Sequence, residues 1–135
     1  MSQRILLAED DKFLRRACEI KLRQHGFDVR SAVDGEEALT VAREWHPDLL
    51  LLDMLMPKRD GLSVLKSLKA DPATQAIKIV VLSNSSAEMT RHTAIEDGAI
   101  GYWVKSDLSL RDLVDQVQQV LQEAGEHGAT PNPAR

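Results

Sequence analysis

Four groups of polar residues end otherwise apolar stretches of this chain: Glu9-Asp10-Asp11, Asp53, Ser83 and Lys105. If the fold brings them together, three or more carboxylates, a hydroxyl and an ammonium share one shallow pocket. Carboxylates held close together repel, and a divalent cation with hard oxygen ligands relieves that repulsion. Mg2+ suits such a pocket better than zinc. It takes one or two carboxylates, keeps several waters and leaves room for a phosphoryl oxygen, and no Cys/His cluster stands here at metal-ligand spacing.

Taken singly, each group has a plainer explanation. Asp10 and Asp11 could cap a helix and meet its dipole, Ser83 could be a turn hydroxyl, and Lys105 a solvated surface lysine. Their coincidence at four strand ends is what points to a site, so the elements that carry them decide the matter.

Short apolar runs alternate with segments of helical period. Ile5 to Ala8 and Leu49 to Leu52 are too uniformly apolar for half-exposed strands and suit central parallel strands covered on both faces. Phe27 to Ala32, Ile77 to Leu82 and Gly101 to Val104 supply three more strands.

Between the strands, Asp11 opens a helix carrying Leu14, Ala17, Cys18 and Leu22 that stops at Gly26, and Asp34 caps one carrying Ala38, Val41, Ala42 and Trp45 that stops at Pro47. A third helix, from about Leu62, ends at Asp71-Pro72. Ser85-Ser86-Ala87-Glu88 forms a capping box for a fourth that ends near Gly98, and Ser109 caps a fifth with Leu110, Leu113, Val114, Val117, Val120 and Leu121 on one stripe. Strict alternation of five strands and five helices predicts an α/β, doubly wound parallel sheet with helices on both faces. Ligands of such sheets gather beyond the carboxyl ends of the strands, where all four polar groups fall.

Length and charge narrow the function classes. At 135 residues the chain is one domain, able to bury roughly 68–70% of its unfolded surface without disulfides. Its formal net charge of −4 offers no basic field to a polyanion, so nucleic-acid binding is not expected. The single cysteine, Cys18, reads as a small buried hydrophobe and favours a reducing, cytoplasmic setting. No apolar stretch approaches the ~18 residues of a membrane span, and the N-terminus has no signal-peptide core. Trp45 reads as core or helix-end packing, Tyr102 and Trp103 point to opposite faces of their strand, and the four histidines are scattered and pair with no nucleophile.

Together, Ile5-Leu6-Leu7-Ala8-Glu9-Asp10-Asp11, Leu49-Leu50-Leu51-Leu52-Asp53-Met54-Leu55-Met56-Pro57 with Asp60-Gly61, Val80-Val81-Leu82-Ser83 and Gly101-Tyr102-Trp103-Val104-Lys105 resemble the receiver domains of two-component response regulators. The resemblance covers about residues 3–123, leaving 124–135 as a flexible C-terminal tail. It implies a flavodoxin-like sheet of order 2-1-3-4-5. It also implies a signalling switch that catalyses only its own aspartyl phosphorylation and dephosphorylation.

In that pattern Asp53 is the phosphoacceptor, charged by a histidine kinase or a histidine phosphotransfer protein. Asp10 and Asp53 ligate Mg2+ directly, Glu9 through water, and Leu55 through its backbone carbonyl. Lys105 pairs with one phosphoryl oxygen and Ser83 hydrogen-bonds another, and Tyr102 changes rotamer as the loop after the fourth strand moves inward. The output is then a surface of the fourth helix, fifth strand and fifth helix, read by a protein target the sequence does not name. No DNA-binding output segment follows in these residues, and the expected state is a monomer or a weak phosphorylation-dependent dimer.

The sequence departs from the family at four positions. Ser106 follows Lys105 where the family has a cis-linked proline; a trans link and a non-proline cis bond costing ~2.5–4 kcal/mol are both open. Asn84 is bulkier than usual and narrows phosphoryl access. Leu55 and Ser85 offer no acid or long amide to orient an attacking water, which predicts slow loss of the phosphoryl group.

Three other functions fit less well. A non-phosphorylated pseudo-receiver would not need Glu9, Asp10, Asp53, Ser83 and Lys105 all at once. A haloacid dehalogenase-type phosphatase needs a second aspartate where Leu55 stands, and a flavin carrier needs a phosphate loop where Glu9-Asp10-Asp11 would repel it.

Overall fold

The structure is a computed structural model, and it describes residues 2–84 and 88–125. Five parallel strands, β1 (Arg4–Ala8), β2 (Asp28–Ala32), β3 (Leu49–Asp53), β4 (Lys78–Ser83) and β5 (Gly101–Val104), lie side by side in the order β2-β1-β3-β4-β5. Between and after them run α1 (Lys12–Gln24), α2 (Gly35–Trp45), α3 (Gly61–Ala70), α4 (Glu88–Glu96) and α5 (Leu110–Gly125). This is the doubly wound architecture and strand order expected.

β3 shows why the sheet sits in the middle. Leu49, Leu50, Leu51 and Leu52 are all fully buried. Successive strand side chains point to opposite faces, so a continuous apolar run needs cover on both. Leu50 and Leu52 enter a core with Ala38, Leu39 and Trp45 of α2, Leu65 and Leu68 of α3, and Ala94 of α4. Leu49 and Leu51 enter a second core with Cys18 and Leu22 of α1 and Leu113 and Val117 of α5. Trp45 packs where expected, with the guanidinium groups of Arg30 and Arg4 stacked 4.7 and 5.6 Å from its ring.

The helix starts follow the capping residues. Asp11, Asp34 and Asp60 accept from the amides of Leu14, Glu37 and Ser63 at 3.0, 2.8 and 2.8 Å, and Ser109 exchanges bonds with Asp112. Each such cap is worth about 1 kcal/mol.

Several boundaries differ from the sequence expectation. β2 begins at Asp28, because the Phe27 amide is taken by the Leu22 carbonyl in the turn that closes α1. β4 runs from Lys78 through Ser83, so Ser83 is the last strand residue and not the first loop residue. α2 is ended by His46 in the left-handed region (φ 52), one residue ahead of Pro47. The capping box at residues 85–88 lies outside the described residues, apart from Glu88 as the first residue of α4; of the tail expected over 124–135, residues 124 and 125 belong to α5 and the rest lies outside the described residues. Among the described residues no helix is long and apolar enough to cross a membrane.

Candidate functional site

Strand register brings the polar groups to one edge. Ala8 pairs with Leu52, Asp53 with Leu82, and Ser83 with Val104, so the chain leaves β1, β3, β4 and β5 at nearly the same level. Glu9 prolongs β1 by one bond, its amide donating to the Ala32 carbonyl at 3.0 Å, and its side chain is 1% exposed. Asp10 stands at the rim, exposed. The Asp11 amide donates to Glu9 Oε2 at 3.1 Å, and the Arg15 guanidinium reaches back from α1 to the Glu9 and Asp10 carbonyls at 3.0 and 3.3 Å. Nothing in the sequence distinguishes Arg15 from any surface arginine one turn into a helix.

Asp53 closes β3 and is 5% exposed. Lys105, directly after β5, places Nζ 2.7 Å from Glu9 Oε1 and 3.1 Å from Asp53 Oδ1. Carboxylate oxygens of Glu9, Asp10 and Asp53 all lie within 4.8 Å of one another.

Burial, and after it the Glu9 carboxylate, push Asp53 up to about 7, against the pull of Lys105. For Lys105 burial works against the charge, but the bond to Glu9 and the nearness of Asp53 outweigh it and hold the ammonium above its ordinary range. Cys18 beneath the site is pushed up to about 11, by burial first and the Glu9 carboxylate second, so its thiol is inert, in keeping with its reading as a buried hydrophobe.

Three carboxylates against one ammonium leave the fully ionised pocket with a double negative charge. A proton on Asp53 relieves part of it, and a divalent cation would relieve all of it. The donor set is oxygen only, as hard cations prefer. The residues present therefore fit the metal site expected.

The remaining expected residues surround this cluster. The Leu55 side chain is 72% exposed on the loop after β3, and its amide lies 3.4 Å from Asp53 Oδ1, a long contact. Ser83 is buried at the end of β4. Tyr102 is also buried, in the core shared by α2, α3 and α4 rather than among the acids. The Arg91 guanidinium stacks 5.0 Å from its ring and donates to its carbonyl at 3.4 Å. Ser85 lies outside the described residues. The described residues contain no cis peptide bond, so Lys105–Ser106 is trans, and Lys105–Asp107 forms a 3-10 turn closed by the Leu108 amide on the Lys105 carbonyl at 3.2 Å.

A flavodoxin-like sheet with an acidic, lysine-bridged cleft at its carboxyl edge defines a receiver-type signalling domain. The family model for the response regulator receiver domain matches residues 5–118, and the chain belongs to that family. It is 40% identical over 124 residues to the transcriptional regulatory protein PrrA of Mycobacterium tuberculosis, covering 92% of this chain and 52% of that protein. It is 36% identical over 130 residues to a probable transcriptional regulator, ycf27, of Porphyridium aerugineum, covering 96% and 52%. The chain thus spans about half the length of the curated relatives it matches.

Among solved structures, a putative response regulator of Chloroflexus aurantiacus superposes with a TM-score of 0.83 at 30% identity, covering 90% of this chain and 99% of that one. The Mn(2+)-bound form of the response regulator Rcp1 superposes with a TM-score of 0.75, also at 30% identity, covering 96% and 99%.

Proposed function

We propose that this receiver accepts a phosphoryl group on Asp53 from a phosphohistidine of a histidine kinase or phosphotransfer protein, in the cytoplasm. The observation that carries this reading is the convergence of Glu9, Asp10, Asp53 and Lys105 within one cleft. A carboxylate oxygen of Asp53 attacks phosphorus in line, the P–N bond to imidazole breaks, and the departing ring nitrogen takes up a proton. Little covalent assistance is needed from the protein, which positions groups and offsets charge.

Glu9, Asp10, Asp53 and the Leu55 carbonyl would hold Mg2+, which when bound compensates the phosphoryl oxygens. The likeness to Rcp1, described as Mn(2+)-bound, supports a divalent cation in this fold. Lys105 exchanges its Asp53 contact for a phosphoryl oxygen, and Ser83 donates to another. That lets Tyr102 repack, so that α4, β5 and α5 present a changed surface to a protein target. The domain's net charge of −4 offers DNA no basic field, so we place the output in that surface.

The test is intact mass after incubation with Mg2+ and acetyl phosphate, beside Asp53→Asn and a Mg2+-free control. A phosphoryl adduct that requires both Mg2+ and Asp53 is expected. Absence of the adduct, together with failure to bind beryllofluoride, would reject phosphoacceptance and leave an interaction module.

A further inference from the structure

Two glycines that leave no room for a side chain fasten the loop between β3 and α3, one across its ends and one along its middle. Across the ends the Gly61 amide donates to the Met54 carbonyl at 2.9 Å, and a Cβ on Gly61 would stand 2.6 Å from the Asp53 carbonyl oxygen. The other fastening comes from a different β/α unit. Gly35, the first residue of α2, donates its amide to the Pro57 carbonyl at 3.2 Å. A Cβ there would stand 2.2 Å from the Arg59 carbonyl oxygen and 2.5 Å from Arg59 Cβ.

Polar contacts ring this junction. Lys58, in the left-handed region at φ 68, brings Nζ to 3.5 Å from Asp34 Oδ2. The Arg59 guanidinium lies 3.7 Å from Glu36 Oε2 and donates to the Ser63 and Ser67 hydroxyls at 3.1 and 2.7 Å.

We propose that Gly35 is a positioning residue for the cation site: by letting Pro57–Arg59 lie against the start of α2, it fixes the placement of the same loop at Leu55. The inference rests on the reading of the Leu55 carbonyl as a cation ligand. Between helix and loop, the loop is the partner that yields. Ala38 and Ala42 anchor α2 in the core with no exposure at all, whereas Leu55 on the loop is 72% exposed. A methyl group on Gly35 needs a contact of ~3.5 Å, so the Arg59 backbone must retreat by roughly 1 Å. Mg2+ and its like demand near-octahedral ligands, with oxygens at about 2.0–2.1 Å for Mg2+. A loop displaced that far no longer presents its carbonyl in range. Losses of about 10–100-fold in metal affinity are typical when a residue that orients a ligand is changed.

The test titrates the full chain with Mn2+, reading free ion by electron paramagnetic resonance, for wild type, Gly35→Ala, Arg59→Ala and Asp10→Asn. Folding of each is checked by circular dichroism. Gly35→Ala should weaken Mn2+ binding about 10-fold, and Arg59→Ala, which keeps Gly35 but frees the loop from Glu36, Ser63 and Ser67, should weaken it by a smaller factor. Acetyl phosphate labelling of Gly35→Ala should fall at low Mg2+ and recover at saturating Mg2+ while circular dichroism shows the variant equally folded at both concentrations, which separates lost affinity from a destabilised fold that Mg2+ rescues by mass action.

A folded Gly35→Ala with wild-type Mn2+ affinity overturns the proposal. If that variant does not fold, an Arg59→Ala protein with unchanged affinity overturns it. Wild type that binds no Mn2+, or Asp10→Asn that binds as well as wild type, refutes the acidic site itself and the inference with it.

Discussion

Replacing Asp53 with asparagine removes a charge and changes almost nothing else in shape, so it isolates the electrostatic strain in the cleft. In the cation-free wild type, burial and then Glu9 push Asp53 from 3.8 up to about 7. An acid whose folded pKa lies above its unfolded one holds its proton more tightly in the native state. Its ionisation therefore opposes folding fully above pH ~7, less as the pH falls from 7 toward 4, and not at all below about 4. At about 1.4 kcal/mol per pH unit the whole displacement corresponds to roughly 4 kcal/mol.

Asparagine also takes one of its two carboxylate partners from Lys105, leaving Glu9 at 2.7 Å. The net gain at pH 8.5 should then be on the order of 2–3 kcal/mol, or roughly 10 °C in melting temperature for a chain of this length. The assay is thermal or urea unfolding of both proteins at pH 4, 7 and 8.5 in a chelator, repeated at pH 8.5 with excess Mg2+. The advantage of the variant should shrink steadily toward pH 4. With Mg2+ the wild type should gain stability and close the gap, because a ligand that binds only the folded state stabilises it by mass action. A variant no more stable than wild type at pH 8.5 would refute the charge argument.

Two other outcomes test the neighbourhood of the cleft. Leu55 gives an attacking water no base, so the phosphoprotein should decay slowly, and Leu55→Glu should speed its decay about 10-fold, below the 10²–10⁴ of a rigidly positioned general base; equal decay of the two by intact mass would sink this idea. Arg91→Ala removes the stacked guanidinium from Tyr102. It should lower stability by about 0.5–1 kcal/mol and shift the Tyr102 ring resonances in NMR spectra, and unchanged resonances would show that the stacking does not hold the ring.

Much of this geometry is legible from residue order alone. Four leucines in a row at β3 demand cover on both faces, and an aspartate or serine before each apolar periodic segment marks a helix start. Once the strands are parallel, the residue ending each run must reach the same edge. What the sequence does not reveal is set by local backbone turns and by contacts between distant units.

Glu9 and Asp10 are adjacent acids, and only the turn after β1 decides that Glu9 is 1% exposed and bridged to Lys105 while Asp10 stays at the rim. Pro47 reads as the end of α2, but the chain had already turned at His46. Gly35 reads as an ordinary turn glycine, because its crowding against Arg59 joins residues from separate β/α units that have no shared pattern. The 3-10 turn at Lys105–Asp107 likewise has no signal beyond the serine that replaces a proline.

The split of the β3 leucines between two cores has a consequence for how substitutions combine. Leu50 and Leu51 are neighbours in the chain, yet one packs with α2, α3 and α4 and the other with α1 and α5, and only the sheet backbone separates the two sets. Truncations at Leu50 and Leu51 should therefore add almost independently, like changes at distant sites, while Leu50 and Leu65 should be strongly non-additive. Tyr102 and Val104 belong to the α2–α3–α4 half while Trp103 between them packs against the α1–α5 half, so β5 divides between the two cores as β3 does. Substitutions confined to the α1–α5 core should then change how firmly the domain is folded while leaving the packing around Tyr102 in place.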